Sequence, residues 1–342
     1  MSESPIVSVH PLSGLHWHTF DPFLFCAHHD DAFPAGNDAM GPDASLEGRL
    51  LGQDFVARDG WRMYHGDIVP GFPRHPHRGF ETVTLARRGF VDHSDSLGAK
   101  ARFGQGDAQW MTAGRGVVHS EMMPLLDQSG PNHAEFFQLW LNLPSESKLV
   151  DPHFSMFWAD AIPKHRFDGE GSVIVTTVAG QLDAQPPPPP PPHSWAARAE
   201  AEVMIWTIEM AAGARWSLPA ASPGLNRTLY FYLGESLQVE GELLSGHAFV
   251  RLASEQSVEL VNGSKKSELL FLQGRPIAEP VANYGPFVMN TADEIRQAIR
   301  DYQRTGYGGW PWASDAPVHP RNAGRFAVLM DGQEVRPTPR HR

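Results

Sequence analysis

Only one cysteine, Cys26, occurs in the 342 residues. No internal disulfide can form, and a lone thiol suits a reducing compartment such as the cytosol. No stretch approaches the roughly 20 apolar residues of a membrane span, and the opening MSESPIVSVHPLSG lacks the basic start and apolar run of a secretory signal. A soluble, cytoplasmic protein without a membrane partner is expected. Positive charge is scarce too, with 28 Lys and Arg against 39 Asp and Glu, a formal net charge of -11. Proteins that neutralise phosphates usually show the opposite balance, which argues against direct nucleic-acid binding.

What the chain has in quantity is punctuation. Thirty Pro and 32 Gly break it into short apolar runs, the pattern of many brief strands and turns, so the expected class is all-β. Ten Trp and 19 Phe can fill a sizeable core. Strand-like runs follow one another from GRLLGQDF to LWLNLP, and again from GSVIVTTVAGQ to SELLFLQGRPI. Two β blocks of similar size suggest a duplicated barrel. The expected division is 1–150, an extension plus a first barrel; 165–290, a second barrel; and 291–342, a helix and an irregular tail. The seven prolines at 186–192 favour polyproline II and cannot join a central strand, so they read as a solvated loop. NTADEIRQAIRDYQ is the clearest helix. Thr291 and Glu294 form a capping box, and Ile295, Ala298, Ile299 and Tyr302 share one face that would dock on a barrel.

The residues with chemistry lie in FPRHPHRGFETVTL, residues 72–85. On a strand, His75 and His77 point to the same face and can aim at one point. His16 and His18 have the same spacing in LHWHTF, but no ligand-like neighbour accompanies them, and they read as ordinary exposed or hydrogen-bonded histidines. The first pair is better supported. GDAQWMTAGRGVVHSEM supplies His119 and Glu121, again two apart on a strand-like run. Three imidazoles and a carboxylate suit a divalent first-row metal, and an octahedral Fe(II) site would keep one or two positions open.

HPHRGFETVT followed by GDAQWMTAGRGVVHSEM resembles the signature of the pirins, iron-binding proteins of the cupin superfamily. DPFLF upstream and GPFVMNTADEIRQAI downstream are also similar to pirin segments, so the resemblance runs from about residue 19 to about 303. It implies a bicupin: two double-stranded β-helix (jelly-roll) barrels face to face, with a C-terminal helix and metal only in the N-terminal barrel. The family's iron ligands fall on His75, His77, His119 and Glu121. Glu81, the carboxylate ligand in many other cupins, then becomes a supporting or plain strand residue. The second motif departs from the common cupin form at Thr112 and in the spacing from Gly114 to His119, as pirins do. In the C-terminal block Trp216 and Leu218 stand where a ligand pair would be expected, and His247 is alone, so no metal is expected there. An insertion at about 35–60, the proline run and the tail beyond about 305 distinguish this chain from shorter pirins, and the insertion would overhang the pocket mouth.

The activity the resemblance implies is Fe(II)-dependent dioxygenation of flavonol-like compounds such as quercetin, with dioxygen as co-substrate and Glu121 as the catalytic proton acceptor. Ni, Cu, Co, Mn or Zn could occupy the same ligands. Phe80, Trp110, Met122, Phe137 and Gln138 are the candidate pocket residues, although any barrel strand sends alternate residues inward. The alternative is a non-catalytic, iron-dependent redox sensor that binds a protein partner.

Overall fold

The computed structural model describes residues 4–169 and 171–338. It is built of antiparallel strands with one long helix, Ala292–Thr305, near the C-terminus. Among the described residues no helix is long and apolar enough to cross a membrane. The chain separates into two compact units. One joins the residues up to Cys26 to Ala161–Ala278, and the other joins Ala27–Asp160 to the residues from Glu279 onward.

The Ala161–Ala278 unit has a seven-stranded and a four-stranded sheet. Its interior is apolar, with Trp206, Leu229, Phe231, Leu260 and Phe271 wholly buried. This unit takes up residues that the linear division assigns to the first barrel. The strand Ile6–Pro11 pairs with Ala248–Leu252 and supplies the outer strand of the larger sheet. Ile6 and Val9 pack against the same apolar core, which explains the attachment.

The other unit has two larger sheets and a two-stranded one, Ala282–Tyr284 with Phe287–Met289. One sheet runs His153–Phe157, Asp107–Thr112, Phe80–Arg88, Asn132–Asn142, Phe23–Phe33. The second runs Glu334–Val335, Phe326–Val328, Lys100–Gly104, Phe90–Asp95, Val117–Met122, Gly71–His77. The tail expected to be irregular thus adds two short strands at the Lys100–Gly104 edge. Arg102 holds it there. Its buried guanidinium donates to both oxygens of Asp92 at 2.7 Å and to the backbone carbonyls of His319 and Pro320 at 2.8 Å each. The helix begins at the Thr291–Glu294 capping box and ends at Gly306. Its buried Ile295 and Ala298 pack with Val118, Phe287 and Met289, and Ile299 and Tyr302 flank them. Val118 belongs to the strand that carries His119 and faces the opposite way, so the helix braces that strand from behind.

Candidate metal centre

Gly71–His77 lies antiparallel to Val117–Met122 in a register that sets Phe72 opposite Glu121 and His75 opposite His119, with a bulge between the two pairs. Pro73 and Pro76 are tolerated because this is the last strand of its sheet. At Gly71, φ is +139°, and a Cβ would come within 2.5 Å of the Glu121 carbonyl oxygen, so only glycine allows so close an approach. His75 and His77 project from one face and His119 meets them from the facing strand. One ligand nitrogen from each lies within 4.8 Å of the others. Ring centroids are 4.4 Å apart for His75 and His119, and 4.9 Å for His77 and His119.

The outer nitrogens orient the rings. Nδ1 of His75 lies 2.8 Å from the Pro73 carbonyl and Nδ1 of His77 lies 3.4 Å from that of Pro286. Because a carbonyl only accepts, each Nδ1 carries the proton and each Nε2 keeps its lone pair, the arrangement of metal-ligating histidines. Among the described residues neither ring nitrogen of buried His119 has a hydrogen-bond partner. A buried polar group left so is costly unless something binds it. Burial lowers the pKa of His75 to about 4 and holds His77 and His119 well below the usual imidazole value. All three are therefore neutral at pH 7, the form that ligates. This donor set can hold a divalent metal ion. His75 is half-buried while His77 and His119 are enclosed, so access is from the His75 side.

Glu121 stands beside the three rings rather than among them. Its Oε2 is 4.0 Å from His119 Nε2 and accepts from Gln138 Nε2 at 2.7 Å. Its Oε1 is 2.8 Å from the Thr84 hydroxyl, which is also 2.6 Å from Gln138 Oε1 and can donate to only one of them at a time. Burial raises the Glu121 pKa, and the charge of His93 and the Thr84 and Gln138 hydrogen bonds oppose that rise. His93 is opposite Glu121 in register, bonded through Nε2 to Asp95 at 3.2 Å, with its ring 5.4 Å from that of His119.

The candidate pocket residues separate by strand face. Phe80 packs edge-on to His77 at 5.0 Å, and Gln138 holds Glu121. Trp110, Met122 and Phe137, expected from the sequence at the pocket, alternate with Gln109, Glu121 and Gln138 along their strands. Gln109 shares a face with Thr84, so its neighbour Trp110 takes the other. Met122 packs with Met40 and Val69, and Phe137 stacks on His28 at 4.6 Å. Glu81 accepts from Thr112 Oγ1 at 2.6 Å, outside the histidine group. His16 and His18 are exposed. Trp140, 5.5 Å from His77, together with Thr84, Gln109 and His93, escaped the sequence reading. Strand alternation from Gln138 would have found Trp140, and VDHSD shows the alternation that puts His93 and Asp95 on one face.

Known proteins extend these findings. The pirin profile matches residues 8–141, and the profile described as the pirin C-terminal cupin domain matches residues 205–308. A pirin-like protein of Solanum lycopersicum is 37% identical over 236 residues, 68% of this chain and 75% of that protein. The pirin of Homo sapiens is 34% identical over 250 residues, 72% of this chain and 80% of that protein. In the crystal structure of a quercetin 2,3-dioxygenase from Acinetobacter baumannii, 28% identical, the matched region covers 89% of this chain and 98% of that one with a TM-score of 0.70. The fold is that of the cupins, and the chain belongs to the pirin family.

Proposed function

We propose that this protein is a mononuclear iron enzyme that oxygenates flavonol-like compounds, opening a ring of the substrate and placing both atoms of dioxygen in the product. His75, His77 and His119 would hold the ion, with Glu121 as fourth ligand when it turns from Gln138. The observation that carries the reading is the convergence of three neutral imidazoles, open on the His75 side, beside a buried carboxylate. When bound, Fe(II) supplies Lewis acidity toward an enolate oxygen and an electron path to dioxygen.

The remaining work falls to the chain. Glu121 accepts the proton of the substrate hydroxyl, and its burial suits it to that task because a raised pKa makes it a stronger base. The Thr84 hydroxyl and Gln138 amide hold the carboxylate in its position off the ion, where it can take the proton. Phe80 and Trp140, packed 4.4 Å apart beside His77, provide an apolar wall against water. Oxygen uptake on adding quercetin to anaerobically Fe(II)-loaded protein tests the reading. Iron-dependent capture of a protein partner with no oxygen uptake would replace it with the sensor.

A further inference from the structure

The stretch between Phe23–Phe33 and Gly71–His77, which contains the insertion, is tied down with unusual care. Asp54 and Tyr64 exchange backbone hydrogen bonds at 2.8 and 3.0 Å. The next peptide grips the start of the ligand strand, with His65 N donating to Gly71 O at 3.0 Å and Gly71 N to Met63 O at 3.2 Å. Tyr64 is wholly buried in a left-handed conformation, φ 57°. A non-glycine residue adopts that region only at a cost, so its surroundings must fix it there. Its hydroxyl donates to Asp31 Oδ2 at 2.5 Å, and Asp31 is also paired with Arg62 at 3.0 Å.

These ties bring aromatic rings to the ligand strand. Phe72 is opposite Glu121 and therefore on the same face of the sheet as that carboxylate. The Phe72 ring is 5.2 Å from Tyr64 and 5.9 Å from His65, and Phe55 lies 4.8 Å edge-on from His65. His65 is exposed. Its Nδ1 is 2.6 Å from the Gly52 carbonyl, so Nδ1 carries the proton and Nε2 is an acceptor with no protein partner among the described residues. The His65 N–H to Gly71 carbonyl bond and the His65–Phe72 ring contact tie this imidazole to the start of the strand that carries His75.

We propose that His65 and Phe72 form the recognition edge of the metal site, Phe72 stacking on a planar aromatic ring and His65 Nε2 accepting from a phenolic hydroxyl at the substrate's far end. The inference rests on the flavonol reading and adds a specificity-determining residue to it. A polyphenol matches this edge for a physical reason. Its enolate end is drawn to the ion and its remote ring reaches the mouth, where a phenolic O–H can donate to the imidazole Nε2.

The test is anaerobic titration of the Fe(II)-loaded full chain with quercetin and with galangin, which has the same ring system without the two hydroxyls of the remote ring. Wild type should bind quercetin about fivefold to tenfold more tightly, the worth of one hydrogen bond. His65→Ala should bring the two affinities together with iron content unchanged, and His65→Gln, which retains an acceptor, should restore part of the gap. Phe72→Leu should weaken both ligands. In air, His65→Ala should raise KM for quercetin and leave kcat nearly unchanged. A quercetin-to-galangin ratio that is the same in His65→Ala and wild type overturns the inference and leaves the flavonol reading standing. Failure of iron-loaded wild type to bind either flavonol overturns both.

Discussion

In the Ala161–Ala278 unit, Met204–Met210 sends Trp206, Ile208 and Met210 into the core, where they meet Leu229, Phe231 and Phe271. In the metal-site unit, Phe80–Arg88 turns Thr82 and Thr84 toward Gln109, Gln138 and Glu121. The first interior is close-packed hydrocarbon. The second is polar and incompletely satisfied, since Thr82 Oγ1, Gln109 Nε2, His93 Nδ1 and both His119 nitrogens are buried without partners among the described residues. Each such group costs about 1 to 3 kcal/mol. Similar antiparallel architecture therefore serves two ends: in one unit inward positions bury apolar surface, and in the other they give up stability to keep donors and acceptors available.

Substitutions can break this contrast from either side. His119→Ala should lower metal affinity about a thousandfold, the share of one of three imidazole ligands, whereas His247→Ala should leave metal content unchanged. Metal analysis after dialysis checks both. Trp206→Ala should cost about 4 kcal/mol in urea unfolding through the cavity it leaves, with metal content intact. Loss of metal in that variant would mean that the two interiors are not independent.

A third test uses pH. Burial pushes the Asp31 pKa up from 3.8 to about 6. The neutral acid is thus preferred in the folded chain, and its stabilisation is complete below pH 4 and lost as the pH rises through 6. Wild type should lose about 3 kcal/mol relative to Asp31→Asn between pH 4 and pH 6 or slightly above, as read from denaturation curves at each pH. The smallest expected effect is that of Gly71→Ala. It should push Gly71–His77 away from Val117–Met122 and weaken metal binding about tenfold, comparable to losing a supporting contact.

Much of this was legible in the sequence. Strand alternation put His75 and His77 on one face, the convergence of His119 on them rested on the resemblance to the pirins, and the helix cap needed only Thr291 and Glu294. Pocket residues were harder. Trp110, Met122 and Phe137 are one position away from Gln109, Glu121 and Gln138, and a shift of one residue reverses the face of a strand. Composition cannot set that phase where both faces are buried, as in Asp107–Thr112. The tail was also obscure, because the pairing of Phe326–Val328 depends on a strand more than 200 residues earlier. The hold of Tyr64 and Asp31 on the insertion is likewise a tertiary contact with no local signature.

The interruption of the metal-site unit by Ala161–Ala278 also has a temporal meaning. During synthesis, the strands carrying His75 and His119 leave the ribosome long before the helix that braces Val118 and the segment that Arg102 grips. The interposed barrel has all its strands by residue 278 and can close first. The nascent chain therefore presents its imidazoles on an unfinished scaffold until translation has nearly ended.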